Sequence, residues 1–207
     1  MTWIIVLAAY LIGSIPTALL IGKCFFNVDI RDHGSKNPGA TNTFRVLGKR
    51  AAVTVLLVDV AKGMLAASLP LLFNLSIDPL YTGLIAVVGH CFPVFAGLRG
   101  GKAIATTAGT LLVADLEMFF IAYLAFFLVT FATKYVFFGS ISVGLALFAH
   151  SLISADYSHG FLFLGFTFLL VFLHRSNIRN FLSGTEKKIN DRKRDDRIPP
   201  RNQDLVP

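Results

Sequence analysis

Cysteine, methionine and tryptophan are scarce in this chain of 207 residues, with two, three and one copies, and its 12 acidic residues face 19 Lys and Arg. Cys24 and Cys91 are too few for a disulfide framework and flank apolar runs, so free thiols without a role are expected. The five histidines, His33, His90, His150, His159 and His174, lack metal-ligand spacing, which predicts no metal site. No G-x-x-x-x-G-K-[ST] loop and no G-x-G-x-x-G turn can be aligned, so neither a P-loop nor a dinucleotide fold is indicated. Internal repeats of the kind that mark many transporters are also missing. Basic residues are absent from most of the long apolar runs, and that absence organises the chain.

What is present in quantity is apolar: 55% of residues are hydrophobic, 20 are Phe, and mean hydropathy is +0.67. A soluble domain rarely needs so much. Apolar runs begin at about Trp3–Gly22, Ala51–Phe73 and Leu80–Ala96. Four shorter ones follow, ending at Ala114 and covering residues 118–133, 135–150 and 161–173. Seven crossings with the N-terminus outside place 18 of the 19 basic residues on the cytoplasmic side, six, two, one and nine in successive segments, with Lys62 the exception. The expected fold is therefore all-α, a polytopic integral membrane bundle of about seven helices with a cytoplasmic C-terminus. The later runs are short for a full span, so a re-entrant pair leaving five crossings is the alternative. Lacking a basic n-region, the first run reads as a retained span rather than a signal peptide. Residues 1–186 are expected to form one domain and 187–207 a basic, disordered tail beside anionic lipid. The net charge of +7 thus reflects topology and an affinity for anions, not nucleic acid.

Three polar clusters fall on the basic side. Residues 34–45 hold Gly34, Ser35, Asn37, Gly39, Thr41, Asn42 and Arg45, which suit either a turn-rich loop or a nest of donors for an anion. His90, Gly100, Gly101 and Lys102 close one span and open the next, where glycines admit backbone N–H groups to a phosphate and Lys102 adds charge. After the last run, His174 and Asn177 are three apart and share a helical face, with Glu186 beyond. Ser142 lies just inside the sixth run, where a hydroxyl serves a ligand or a helix carbonyl. Asp59 and Lys62, also three apart, are read as pairing on one helix face.

In this order the motifs resemble the bacterial acyl-phosphate:glycerol-3-phosphate acyltransferases, the PlsY family. The resemblance runs from Gly13-Ser14-Ile15-Pro16 through Asp59-Val60-Ala61-Lys62-Gly63 to Gly184-Thr185-Glu186. It includes a G-S-x-N-x-G-A-T-N-x-x-R loop, a G-H-x-F-P…G-G-K-x-x-A-T stretch over residues 89–106, and an H-R-x-N-I ending. Lys36 and Ala103 stand where the family pattern has Gly, and Asn180 where it has a basic residue. The resemblance implies transfer of a fatty acyl group from acyl phosphate to the 1-hydroxyl of glycerol 3-phosphate, without cofactor, at the cytoplasmic face of a bacterial plasma membrane. It implies catalytic roles for Ser35, Arg45, Lys102, His174 and Asn177. Substrate contacts are implied for Gly34, Asn37, Gly39, Thr41, Asn42, His90, Gly100, Gly101, Ser142 and Glu186. The H-x-x-x-x-D dyad of other glycerolipid acyltransferases is absent, which leaves a substrate phosphate or His174 to take the hydroxyl proton. A transporter of an organic phosphate is the competing class.

Overall fold

Apolar runs this long can hide their backbone amides from lipid only by closing every hydrogen bond within the segment, and in the computed structural model each becomes helix. Residues 1–155, 157–191 and 198–199 are described; among them are ten α-helices and no strand. In chain order these are α1 (Thr2–Gly13), α2 (Thr17–Phe26), α3 (Ala40–Val46), α4 (Lys49–Leu72), α5 (Pro79–Cys91), α6 (Ile104–Ala114), α7 (Leu116–Thr133), α8 (Val136–Ile153), α9 (Tyr157–Leu173) and α10 (Arg175–Leu182). Most of the expected tail, from residue 192 on, lies outside the described residues.

Length and composition qualify four stretches as full crossings: Lys49–Leu72, Pro79–Ala96, Leu116–Thr133 and Val136–Ile153. Two bent pairs, α1 with α2 at 40° and α9 with α10 at 54°, raise the number to six if each pair is one span. The expected fourth crossing, α6, has 11 residues. At 1.5 Å per residue that is about 16 Å, roughly half of a 30 Å hydrocarbon core. The first run breaks at Ser14-Ile15-Pro16 because Pro16 has no N–H to continue the ladder and disfavours helical geometry at Ile15.

The chain forms two compact units, the first built on Met1–Ala114 and the second beginning at Asp115. In the first, α4 packs on α5 and α6, and α1 on α5. Glycines let these helices approach backbone to backbone: a Cβ on Gly13 would strike Ala86, and Cβ atoms on Gly63 and Gly109 would strike the carbonyls of Thr106 and Val60. One face of α4 buries Ala52, Val55, Asp59, Lys62, Gly63 and Ala66 at three- and four-residue spacing, while Leu56, Leu57 and Leu65 are exposed where lipid would lie. Asp59 and Lys62 therefore point into the protein.

In the second unit α8 packs against α7 and α9. Asp115 caps α7 by accepting from the Met118 N–H at 2.9 Å. Gly139 brings α8 against Thr130 of α7, and Gly144 against Thr167 of α9. Phe120, Leu124, Phe127, Leu128 and Phe131 make an exposed apolar stripe along α7.

Candidate active site

The loop between α2 and α4 is organised by two side chains, Asn42 and Arg31. Asn42, on α3 and 1% exposed, donates its amide to the carbonyls of Ile30 at 3.3 Å and His33 at 3.0 Å, and its Oδ1 accepts from the Ser35 N–H at 2.8 Å. This leaves no room for a Cβ at Gly34, whose φ of +58° already favours glycine. Asn42 is the tie that folds the loop, and Ser35 and Thr41 are exposed beside it. Asn37 and Gly39 form the tight bend before α3, where the Gly39 N–H donates to the Asn37 carbonyl at 2.9 Å. Arg45 follows on α3, half-buried.

Arg31 forms the second tie. Its Nη2 and Nε donate to the Asp29 carboxylate at 2.7 and 3.0 Å, and its Nη1 donates to the Ala96 carbonyl at 2.8 Å. The loop is thereby fastened to the turn that leads into Gly100, Gly101 and Lys102. The guanidinium holds the Asp29 carboxyl at about 2, below its ordinary 3.8.

The second loop folds back on the end of α5. Gly100 N–H donates to the Cys91 carbonyl and Gly101 N–H to the His90 carbonyl, both at 3.1 Å. Those two amides close the turn on the end of α5. Gly101 is buried directly against the His90 imidazole, where a Cβ would collide with the ring. Lys102 follows, half-buried, and α6 starts two residues later. Ala103 has φ +74° and Lys36 φ +60°. These are the two positions where the family pattern has Gly, and the left-handed backbone is the physical reason for it.

Beneath this loop lies a buried polar group. Asp59 and Lys62 pair as expected, Nζ to Oδ1 at 2.8 Å. Lys62 also donates to the carbonyl of Ile15 at 3.0 Å, in the break between α1 and α2, and Thr17 donates to the same Asp59 oxygen at 3.0 Å. His90 Nδ1 stands 3.7 Å from that oxygen. A recess of roughly 260 Å³, counting its open mouth, is lined by Thr17, Pro38, Lys62, His90, Arg99 and Gly100 among others. Among the described residues no three His, Cys, Asp or Glu side chains gather as metal ligands.

The remaining site candidates belong to the second unit. His174 sits at the break between α9 and α10, 3% exposed, with Nδ1 2.9 Å from the Leu170 carbonyl. Only a protonated Nδ1 can bond a carbonyl, so Nε2 is the basic nitrogen of the neutral ring. Asn177 donates to Glu186 Oε1 at 2.6 Å. Glu186 is held in turn by its N–H on the Asn180 carbonyl at 3.1 Å. Glu186 thus orients Asn177, a task the sequence spacing did not reveal. Ser142 donates to the Gly139 carbonyl at 2.8 Å, which leaves its oxygen only as an acceptor.

A family model described as glycerol-3-phosphate acyltransferase matches residues 3–184. A glycerol-3-phosphate acyltransferase of Bacillus cereus strain G9842 is 44% identical over 189 residues, 91% of this chain and 96% of that protein. One of Macrococcus caseolyticus is 43% identical over 190 residues, 92% of this chain and 98% of that protein. Among solved structures, the glycerol 3-phosphate form of PlsY (YgiH), an integral membrane glycerol 3-phosphate acyltransferase, matches with a TM-score of 0.83 at 32% identity, covering 91% of this chain and 95% of that one. Its lysophosphatidic acid form matches with a TM-score of 0.78 at 31% identity, covering 90% and 94%. With a family match that spans all but the chain's ends, and a helical fold shared with an integral membrane relative, the chain belongs to the PlsY family of glycerol-3-phosphate acyltransferases.

Proposed function

We propose that this protein transfers a fatty acyl group from acyl phosphate to the 1-hydroxyl of glycerol 3-phosphate, giving lysophosphatidic acid and phosphate, at the cytoplasmic face of a bacterial plasma membrane. The observation that carries the proposal is the match over 91% of the chain to a relative crystallised in a glycerol 3-phosphate form, together with motifs rich in phosphate donors. The hydroxyl oxygen attacks the acyl carbonyl, the bond from that carbon to the phosphate oxygen breaks, and phosphate leaves with the electron pair. Acyl phosphate is a mixed anhydride and needs little beyond charge stabilisation, which Arg45 and Lys102 supply. Ser35 and Thr41 add hydroxyl donors, and Asn177 an amide. His174 serves as a phosphate ligand, and the hydroxyl proton passes to a phosphate dianion, whose second pKa is about 6. No acyl-enzyme and no cofactor are needed by such a donor.

The test offers purified protein in a lipidic phase glycerol 3-phosphate with either acyl phosphate or acyl-CoA, and measures lysophosphatidate. Product from acyl phosphate alone is the expected result. Product from acyl-CoA at an equal rate would reject the donor assignment, and none from either would reject the reaction.

A further inference from the structure

Two charges and an imidazole buried inside a membrane protein call for a reason beyond stability, since ionisable residues within such spans are costly to keep. Asp59, Lys62, Thr17 and His90 are 2%, 5%, 7% and 7% exposed. Three of them converge on one oxygen, Asp59 Oδ1. Thr17 and Lys62 fix the carboxylate from α2 and α4, and the Nδ1 edge of the His90 ring lies against it at 3.7 Å. The opposite edge of that ring is what Gly101 rests on, while the Gly101 N–H bonds the His90 carbonyl. A ring with the carboxylate behind it and the Gly101 backbone packed in front has little room to tilt, and the backbone that delivers Lys102 rests on it.

We infer that His90, locked by the buried group of Thr17, Asp59 and Lys62, is a positioning residue: it is the rigid seat of the Gly100–Gly101 turn and sets where the Lys102 ammonium stands. The inference rests on reading Lys102 as a ligand of the substrate phosphate. It gives the buried charges work that simple pairing does not explain. It also accounts for glycine at 101, because any side chain there would displace the turn from its seat.

The test is a cycle of purified variants, His90→Ala, Lys102→Ala and the two together, read as kcat/KM for glycerol 3-phosphate and as the thermal shift that glycerol 3-phosphate gives. His90→Ala alone and Lys102→Ala alone should each lose about tenfold or more, the scale of one lost charge-assisted contact. The double variant should be no worse than Lys102→Ala. Losses that multiply would overturn the inference. A flat Lys102→Ala would sink the phosphate reading itself, and a loss in His90→Ala would then overturn the seat as well, its effect not passing through Lys102. Should His90→Ala misfold, Gly101→Ala presses on the same ring from the loop side, and its loss should likewise vanish in the Lys102→Ala background. A neutral exchange, Asp59→Asn with Lys62→Met, separates positioning from structure. Melting temperature should stay near that of the parent, as paired replacement of buried charges often allows, while kcat/KM falls. Recovery of both would mean that the buried group only holds helices together.

Discussion

Arg31 is the perturbation that most directly tests how the loop after α2 and the loop after α5 are held in register. Lysine at this position keeps the charge but loses the fork: an ammonium can pair with Asp29, yet no second nitrogen remains to reach the Ala96 carbonyl at the same time. A hydrogen bond to a charged group is worth about 1.5–3 kcal/mol. With the Arg31 and Asp29 side chains 17% and 22% exposed, solvent reduces this to about 1–1.5 kcal/mol. At about 1.4 kcal/mol per decade, Arg31→Lys should raise KM for glycerol 3-phosphate about five- to twelvefold, with kcat changed much less. Phosphate release from acyl phosphate, followed against glycerol 3-phosphate concentration, measures both constants. Arg179→Ala is the control, since Arg179 is equally basic and exposed. The same clasp has an acid limit. The folded Asp29 carboxyl at about 2 lies below the ordinary 3.8, so its contribution to stability is fully present above 3.8 and is lost as pH falls through about 2. The melting-temperature gap between the parent and Asp29→Asn should therefore close over that window. An Arg31→Lys variant with the parent KM, or a gap that is unchanged down to pH 2, would refute the idea that this guanidinium links the two loops.

Arg45→Ala and Lys102→Ala should each lower turnover about tenfold to 150-fold, from a lost charge-assisted contact of about 1.5–3 kcal/mol. Arg179→Ala serves as the basic control in the same assay, and equal losses in all three would replace the shaped site with a diffuse positive surface. Ala103→Gly should raise the melting temperature by about 2–4 °C, because releasing an L residue from the left-handed region gains about 1–2 kcal/mol, partly offset by glycine's entropy. Differential scanning of the purified protein decides this, and a lower melting temperature would mean that the 1% exposed Ala103 methyl packs well enough to outweigh the strain.

The helices were legible because membrane-length hydropathy is a one-dimensional signal. Their breaks were half legible: Pro16 was there to be read inside the first run, whereas the bend at His174 is marked by no proline or glycine. The pairing of Asp59 with Lys62 follows from helical spacing within one segment. That Thr17 and His90 join them depends on helices brought together through Gly13 and Gly89, contacts between residues far apart in sequence that no local pattern encodes. Composition fails more instructively at the loops. A cluster of Asn, Ser, Gly and Arg advertises hydrogen-bonding capacity but not its direction, and here much of that capacity is turned inward. Asn42 folds the first loop, Arg31 ties it to the turn after α5, Glu186 holds Asn177, and the amides of Gly100 and Gly101 close on α5. A loop that must present a few donors to a phosphate without collapsing into water needs other donors to hold its own shape. Residues of both kinds therefore share one motif, and only the coordinates separate the groups that shape the site from those left to meet a ligand.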